Sequence, residues 1–160
     1  MTLFDDARRA AETAAGFGNV DQENAPRLLV IDAVTVHRMI ICKLAAKAGF
    51  VPFEAEGCGD VVRLTTTQNL ECATLDLSLG ERAGTEVLQH FALCGFRAPV
   101  IILSGAEPEV ARQAFELGRS LGLNMLEPIG KPVDLARLRE RFTVIAAQGQ
   151  RQHQPESTSS

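Results

Sequence analysis

The stretch Val100-Ile-Ile-Leu-Ser104 decides the fold, because it is the strongest strand signal in the chain. Its consecutive apolar residues are typical of a strand that is buried on both faces of a sheet. Upstream, Thr85–Leu93 favours a helix that ends at Gly95, and downstream a longer helix begins near Pro108. Buried strands that alternate with helices indicate a parallel sheet of the α/β class.

The same alternation continues outward in both directions and gives five strands, each followed by a helix. The other predicted strands are Arg27–Asp32, Val51–Glu56, Cys72–Asp76 and Asn124–Ile129. Pro52 places the second of these at an edge of the sheet, because proline cannot donate to a strand ladder. The helix after the first strand is predicted to bury Val36, Met39, Ile40, Leu44 and Ala48 and to stop at Gly49.

The 160 residues predict one folded domain, over 26–147. Residues 1–25 read as an N-terminal extension with a short Ala-rich helix and a linker. The tail over 148–160 is polar, with Gln, Ser and His, and is predicted to be disordered.

The composition argues against several classes of function. A net charge of −4, without a basic stripe, disfavours nucleic-acid binding, and the absence of Trp and Tyr removes the usual stacking residues. The four cysteines form no C-x-x-C pair, so they suggest buried thiols in a reducing compartment. The chain shows neither an apolar run long enough to span a membrane nor a signal peptide, and we expect a cytoplasmic protein.

Polar side chains gather where the predicted strands end. Asp32 ends the first strand and Asp76 the third. Ser104 ends the fourth strand, and Lys131 follows the fifth. Since sites in open parallel sheets form at the carboxyl ends of strands, these side chains are expected to converge. Two carboxylates suit Mg²⁺, and with a lysine they would allow one carboxylate to accept a phosphoryl group.

Four segments, in this order, resemble the response-regulator receiver family of two-component signalling. They are Leu28-Leu-Val-Ile-Asp32, Thr74-Leu-Asp76-Leu with Gly84, Val100-Ile-Ile-Leu-Ser104-Gly105, and Gly130-Lys131-Pro132. The resemblance runs from about Arg27 to about Ile145. It implies a doubly wound, flavodoxin-like sheet of strand order 2-1-3-4-5, with helices on both faces.

The resemblance also implies the role of each site residue. Asp76 matches the phosphoacceptor, Lys131 the invariant lysine and Ser104 the switch hydroxyl. Mg²⁺ is implied to bind Asp32, Asp76 and the backbone carbonyl of Ser78. The phosphoryl donor would be a histidine kinase or a histidine phosphotransfer protein. The domain would act only on itself, without a separate substrate, and would signal through contact with an unknown protein target.

The chain departs from the family pattern at two site positions. Ala33 stands where a second acid usually contacts the metal, so we expect weak Mg²⁺ binding and slow phosphorylation. Pro128 replaces the aromatic switch residue, so signalling by a rotating ring is excluded there. The segment from Gly118 to Lys131 is similar to that of receivers fused to cyclic-di-GMP phosphodiesterase domains, although these 160 residues leave no room for such a domain.

Other interpretations remain open. Ala33 and Pro128 favour a pseudo-receiver, a binding module that keeps the fold and signals without phosphate. A haloacid dehalogenase-type hydrolase is disfavoured, because Ser78 stands where its second Asp is needed. A nucleotide-binding enzyme lacks its glycine loop. Glu56 is a weak candidate to replace the missing acid, and His37 and His90 are interpreted as ordinary surface histidines.

Overall fold

The computed structural model describes residues 24–77, 81–105 and 108–153. Its strands are β1 (Arg27–Ile31), β2 (Val51–Ala55), β3 (Cys72–Asp76), β4 (Val100–Ser104) and β5 (Ile129–Gly130). All pairs are parallel, and the order is β2-β1-β3-β4-β5. The predicted fold class and strand order are therefore confirmed, and β2 is an edge strand as Pro52 indicates.

The helices are α1 (Thr35–Lys47), α2 (Cys58–Thr67), α3 (Glu81–Leu93), α4 (Pro108–Ser120) and α5 (Leu135–His153). The predicted end signals act as expected. Gly49 ends the first helix with a φ of 98°, which favours glycine. Asp134 caps the last helix, since its Oδ1 accepts the Arg137 backbone N–H at 3.1 Å.

The sheet is packed on both faces, because successive side chains of each strand point to opposite sides. One layer places α2, α3 and α4 over one set of strand residues, with Leu75, Ile102 and Phe91 fully buried in it. The other layer places α1 and α5 on the opposite face, where Val30, Ile101 and Phe142 are buried. The buried strands thus fix the sheet and leave the loops at its carboxyl edge to form a site.

The first helix packs through a face that matches the predicted one only at Leu44 and Ala48, which are half-buried against the core. Arg38, Ile41 and Ala45 are buried, whereas Val36 is 62% exposed and Met39 and Ile40 are also exposed. The helix is apolar on two sides, so periodicity alone did not select the correct face. Instead, the helix buries the aliphatic stem of Arg38. The guanidinium is paired with groups at the strand ends.

The fifth strand is shorter and later than predicted. Met125 makes an isolated bridge with Val100, and the regular ladder begins only at Ile129, which pairs with Leu103. Pro128 precedes the ladder and has no N–H to donate, which explains why the strand does not run through it.

The predicted N-terminal helix lies outside the described residues. The last helix continues to His153, beyond the boundary at residue 148 where the predicted tail begins. Among the described residues, none of the helices is both long enough and apolar enough to cross a membrane.

Candidate functional site

Two buried carboxylates lie side by side at the carboxyl edge of the sheet. β1 and β3 are adjacent and in register, with Ile31 level with Leu75, so the next residues, Asp32 and Asp76, are neighbours. Both side chains are 0% exposed. Burying two carboxylates together is unfavourable unless cations or hydrogen bonds compensate for it, and the surrounding groups must supply these.

Lys131 provides one compensating charge. Its ammonium donates a hydrogen bond to Oδ2 of Asp76. Its position is fixed from the backbone, because the Lys131 N–H donates to the Ser104 carbonyl at 2.8 Å. A Cβ on Gly105 would lie 3.2 Å from both Cβ and Cδ of Lys131, so the glycine leaves room for the lysine stem. The predicted meeting of Lys131 with Asp76 is therefore present.

Ser104 lies at the same carboxyl edge of the sheet, at the end of β4. The residue is 4% exposed, and its Oγ has no hydrogen-bond partner among the described residues. A buried hydroxyl without a partner is uncommon and costs stability, so such a group calls for an explanation. An incoming acceptor at the pocket would satisfy it.

Asp32 uses its two carboxylate oxygens differently. Oδ1 accepts the Val34 backbone N–H at 2.8 Å, which orders the turn into α1. Within the described parts of the chain, Oδ2 accepts no hydrogen bond although it is buried. Burial, followed by the proximity of Asp76, raises the pKa of Asp32 to about 6. The charge of Lys131 lowers this pKa but does not outweigh burial and Asp76.

His37 is exposed, as the interpretation as a surface histidine predicts, and its ring also reaches this pocket. Its Nδ1 lies 3.7 Å from Oδ2 of Asp32 and 3.4 Å from Nζ of Lys131. One donor atom from each of Asp32, His37 and Asp76 lies within 4.8 Å of the others. The available signal was its place in the first turn of α1, since helical side chains lean back toward the N-terminus and hence toward the strand ends.

Arg38 links the end of β1 to acidic residues at the end of β2. Its Nη1 donates to the Asp32 backbone carbonyl at 2.7 Å, while Nε contacts Glu54 at 3.2 Å and Nη2 contacts Glu56 at 3.1 Å. Glu56 is therefore engaged in an ion pair and is not part of the Asp32, His37 and Asp76 group. The guanidinium holds the end of β1 in place.

The two departures from the family pattern have clear positions. Ala33 is exposed immediately after Asp32 and offers no donor to the pocket. Pro128 is half-buried just before β5. Ser78 lies outside the described residues, so its predicted role as a metal ligand stays a prediction.

Proteins of known structure share the fold of this chain. No protein-family model matches the chain. A response regulator from Colwellia psychrerythraea superposes with a TM-score of 0.65 at 22% identity, over 78% of this chain and 98% of that one. The receiver domain of the Francisella response regulator 1452 gives 0.64 at 19% identity, over 77% and 98%. The chain folds as a response-regulator receiver domain.

Two curated proteins are similar to this chain in sequence. The cyclic di-GMP phosphodiesterase RocR of Pseudomonas aeruginosa is 27% identical over 129 residues, which are 79% of this chain and 33% of RocR. The regulatory protein VirG of Agrobacterium fabrum is 28% identical over 125 residues, 78% of this chain and 45% of VirG. The chain thus spans less than half the length of either relative.

Proposed function

We propose that this receiver domain accepts a phosphoryl group on Asp76 from a histidine kinase or a histidine phosphotransfer protein. One observation carries the proposal: the Lys131 ammonium contacts a fully buried Asp76 carboxylate that has a second buried carboxylate, Asp32, beside it. Such a pocket concentrates charge at the end of a strand, where it adds nothing to packing. A fold-only role would not require it.

The proposed reaction is a transfer between two nucleophiles. A carboxylate oxygen of Asp76 attacks phosphorus, and the bond from phosphorus to the histidine nitrogen of the donor breaks. The departing nitrogen keeps the electron pair, and the imidazole leaves as a neutral ring because its other nitrogen carries a proton. Lys131 stabilises the negative charge on the transferred oxygens, and the Ser104 hydroxyl, which has no partner among the described residues, donates a hydrogen bond to the product. Water later hydrolyses the acyl phosphate on Asp76, which releases inorganic phosphate and restores the carboxylate.

A divalent cation fits the residues present. Oδ2 of Asp32 accepts no hydrogen bond from the described residues, and with the carboxylate of Asp76 it forms a hard, oxygen-rich donor set that suits Mg²⁺. When bound, the cation would neutralise phosphoryl oxygens. Ala33 contributes no ligand, so we propose weak Mg²⁺ binding.

The response regulator from Burkholderia pseudomallei, solved with a phosphorylated aspartic acid and a calcium ion, has the same fold. It gives a TM-score of 0.62 at 18% identity, over 82% of this chain and 75% of that one.

Donor docking is proposed beside the pocket. Asp76 is buried at the strand edge, and the first turns of α1, which follow Asp32, adjoin it. Val36, Met39 and Ile40 are large apolar residues exposed there. An exposed apolar cluster beside a reactive group is typical of a protein-contact surface. The donor domain is the occupant we propose for it.

Output is proposed to occur through protein contact. Phosphorylation adds about −1.5 to −2 charges, close to Ser104 and Lys131, which belong to β4 and the segment after β5. A ligand or modification shifts a conformational equilibrium only through contacts that differ between the two states. Ser104 and Lys131 are the groups here that can make such contacts, because Pro128 excludes an aromatic switch.

The test is incubation with acetyl phosphate over a range of Mg²⁺ concentrations, followed by intact-mass measurement. We expect one phosphoryl adduct in the wild type and none in Asp76→Asn. An adduct that survives Asp76→Asn, or no adduct at any Mg²⁺ concentration, contradicts the proposal.

The pseudo-receiver alternative is favoured by Ala33 and Pro128, and Ala33→Asp separates the two. If the site is active but weakened, this variant binds Mg²⁺ more tightly. If neither form binds Mg²⁺ or becomes phosphorylated, the pseudo-receiver is supported.

A further inference from the structure

The pocket contains a nitrogen atom that could bind a metal, close to the carboxylates that lack the ligand missing at Ala33. His37 Nδ1 lies 3.7 Å from the buried Oδ2 of Asp32, which has no hydrogen-bond partner among the described residues. A ring nitrogen of His37 also belongs to the group of three donor atoms within 4.8 Å of one another. A buried oxygen without a partner that faces an imidazole nitrogen is the arrangement expected when a cation belongs between them.

We propose that His37 is a protein ligand of the divalent cation, together with Asp32 and Asp76. An imidazole ligand would give the pocket a preference for first-row transition cations such as Mn²⁺ or Co²⁺ over Mg²⁺. The inference rests on the cation site of the proposed function and names its third ligand and its selectivity. His37 would supply the donor that Ala33 lacks, from one turn further along the chain.

Lys131 also lies beside this nitrogen. Its Nζ is 3.4 Å from Nδ1 of His37, and because an ammonium has only donors, it can hydrogen-bond Nδ1 only through the lone pair of that nitrogen. A cation that binds this lone pair would replace the Lys131 contact, while the ammonium keeps its hydrogen bond to Asp76.

The position of His37 on the helix permits this role. The side chain is 47% exposed, so the ring can adjust without disturbing the core, whereas both aspartates are fixed by burial. The next residue, Arg38, is buried and ion-paired, which anchors this turn of α1 against the strand ends. The His37 ring thus has room to reorient, while Arg38 anchors the backbone that carries it.

The selectivity follows from ligand chemistry. Mg²⁺ demands near-ideal octahedral oxygen coordination and keeps several waters, so an imidazole offers it little. The affinity of mixed nitrogen and oxygen sites rises from Mn²⁺ to Co²⁺ along the first-row series. The wild-type domain should therefore bind Mn²⁺ more tightly than Mg²⁺ by about tenfold or more, and Co²⁺ more tightly still.

The experiment measures binding of Mn²⁺, Co²⁺ and Mg²⁺ to the full chain by calorimetry. In parallel, the Mn²⁺ complex is examined by electron spin echo envelope modulation for coupling to a nitrogen nucleus. His37→Leu removes the donor, and His90→Leu is the matched control, since His90 contacts Thr65 on α2 and is not in the donor group. Thermal unfolding checks that each variant is folded.

We expect nitrogen coupling in the wild type and in His90→Leu, and its loss in His37→Leu. Mn²⁺ affinity should fall about tenfold or more in His37→Leu, while Mg²⁺ affinity changes little. Mn²⁺ bound without nitrogen coupling, an unchanged Mn²⁺ affinity in His37→Leu, or no Mn²⁺ binding by the wild type overturns the inference. The wild-type spectrum and His37→Gln decide the question if His37→Leu does not fold.

Failure of the ligand assignment and failure of the proposed function remain distinguishable. Phosphorylation of Asp76 by acetyl phosphate with Mg²⁺ is followed separately by mass. If the adduct forms but His37 does not affect Mn²⁺ binding, only the ligand assignment is overturned. If Mn²⁺ binds through His37 but Asp76 accepts no phosphoryl group with any cation, only the proposed function is overturned.

Discussion

Replacing Asp32 with Asn should stabilise the cation-free domain at neutral pH. The wild-type carboxylate is fully buried beside Asp76, and these surroundings raise its pKa from 3.8 to about 6. Each change of one in pKa corresponds to about 1.4 kcal/mol, so ionising Asp32 in the folded state costs at most about 3 kcal/mol. Asn removes this charge and keeps an oxygen that can accept the Val34 N–H.

The pH dependence fixes the sign of the effect. Because the pKa of Asp32 is higher in the folded than in the unfolded chain, the folded state binds more protons between about pH 4 and pH 6. The free energy of unfolding of the wild type therefore falls as pH rises through this window, once other groups are accounted for. Asp32→Asn lacks that decline, so its advantage is largest above pH 6 and shrinks toward pH 4.

The assay is urea unfolding of wild type and Asp32→Asn in EDTA at pH 7.5, 6 and 4.5, followed by far-ultraviolet circular dichroism. We expect Asp32→Asn to gain about 1 to 3 kcal/mol at pH 7.5. A divalent cation should narrow the difference, because it binds and stabilises the folded wild type. A variant that is less stable than wild type at pH 7.5, or a gain that does not shrink at pH 4.5, would refute the reasoning.

Three further predictions concern the exposed apolar residues of α1, the position of Lys131 and the reactivity of the cysteine thiols. Val36→Glu should slow phosphotransfer from a phosphohistidine protein while leaving labelling by acetyl phosphate unchanged, and equal slowing in both assays would contradict the docking surface. Gly105→Val should slow acetyl phosphate labelling on the order of tenfold by displacing Lys131, with circular dichroism as the folding control. Burial raises the pKa of Cys72 to about 12, so a thiol reagent should label exposed Cys94 first in the native protein, and comparable rates at both would contradict the packing.

The strands and the site followed from the sequence for one physical reason. A strand covered on both faces must be apolar throughout, so Val100–Ser104 stands out, and the residue that ends each such strand must lie at one edge. Asp32, Asp76 and Lys131 could therefore be brought together without any knowledge of distances. Helix ends could also be predicted, because they depend on local geometry. Gly49 acts through its own backbone conformation and Asp134 through its capping hydrogen bond.

The sequence could not predict how the first helix is rotated about its axis. Nor could it predict which side chains of distant elements pair with one another. The first helix carries apolar residues on two sides, and its true buried face contains Arg38. Its burial becomes favourable only when Glu54, Glu56 and the Asp32 carbonyl lie within reach, which requires β2 to be in place. His37 was missed for the same reason, because its relation to the pocket follows from the rotation that Arg38 sets.

These contacts link the stability of the fold to the chemistry of the pocket. Arg38 neutralises acids at the end of β2, yet it reaches only the backbone carbonyl of Asp32, so burial and Asp76 still hold the pKa of this carboxyl above its usual value. Lys131 contacts Asp76, and Oδ2 of Asp32 accepts no hydrogen bond from the described residues. A charge that packing cannot offset can be offset by a cation, and the free energy lost by burying Asp32 is then recovered on binding. Weak cation-free stability and cation affinity thus have one origin, and Asp32→Asn should raise the first as it lowers the second.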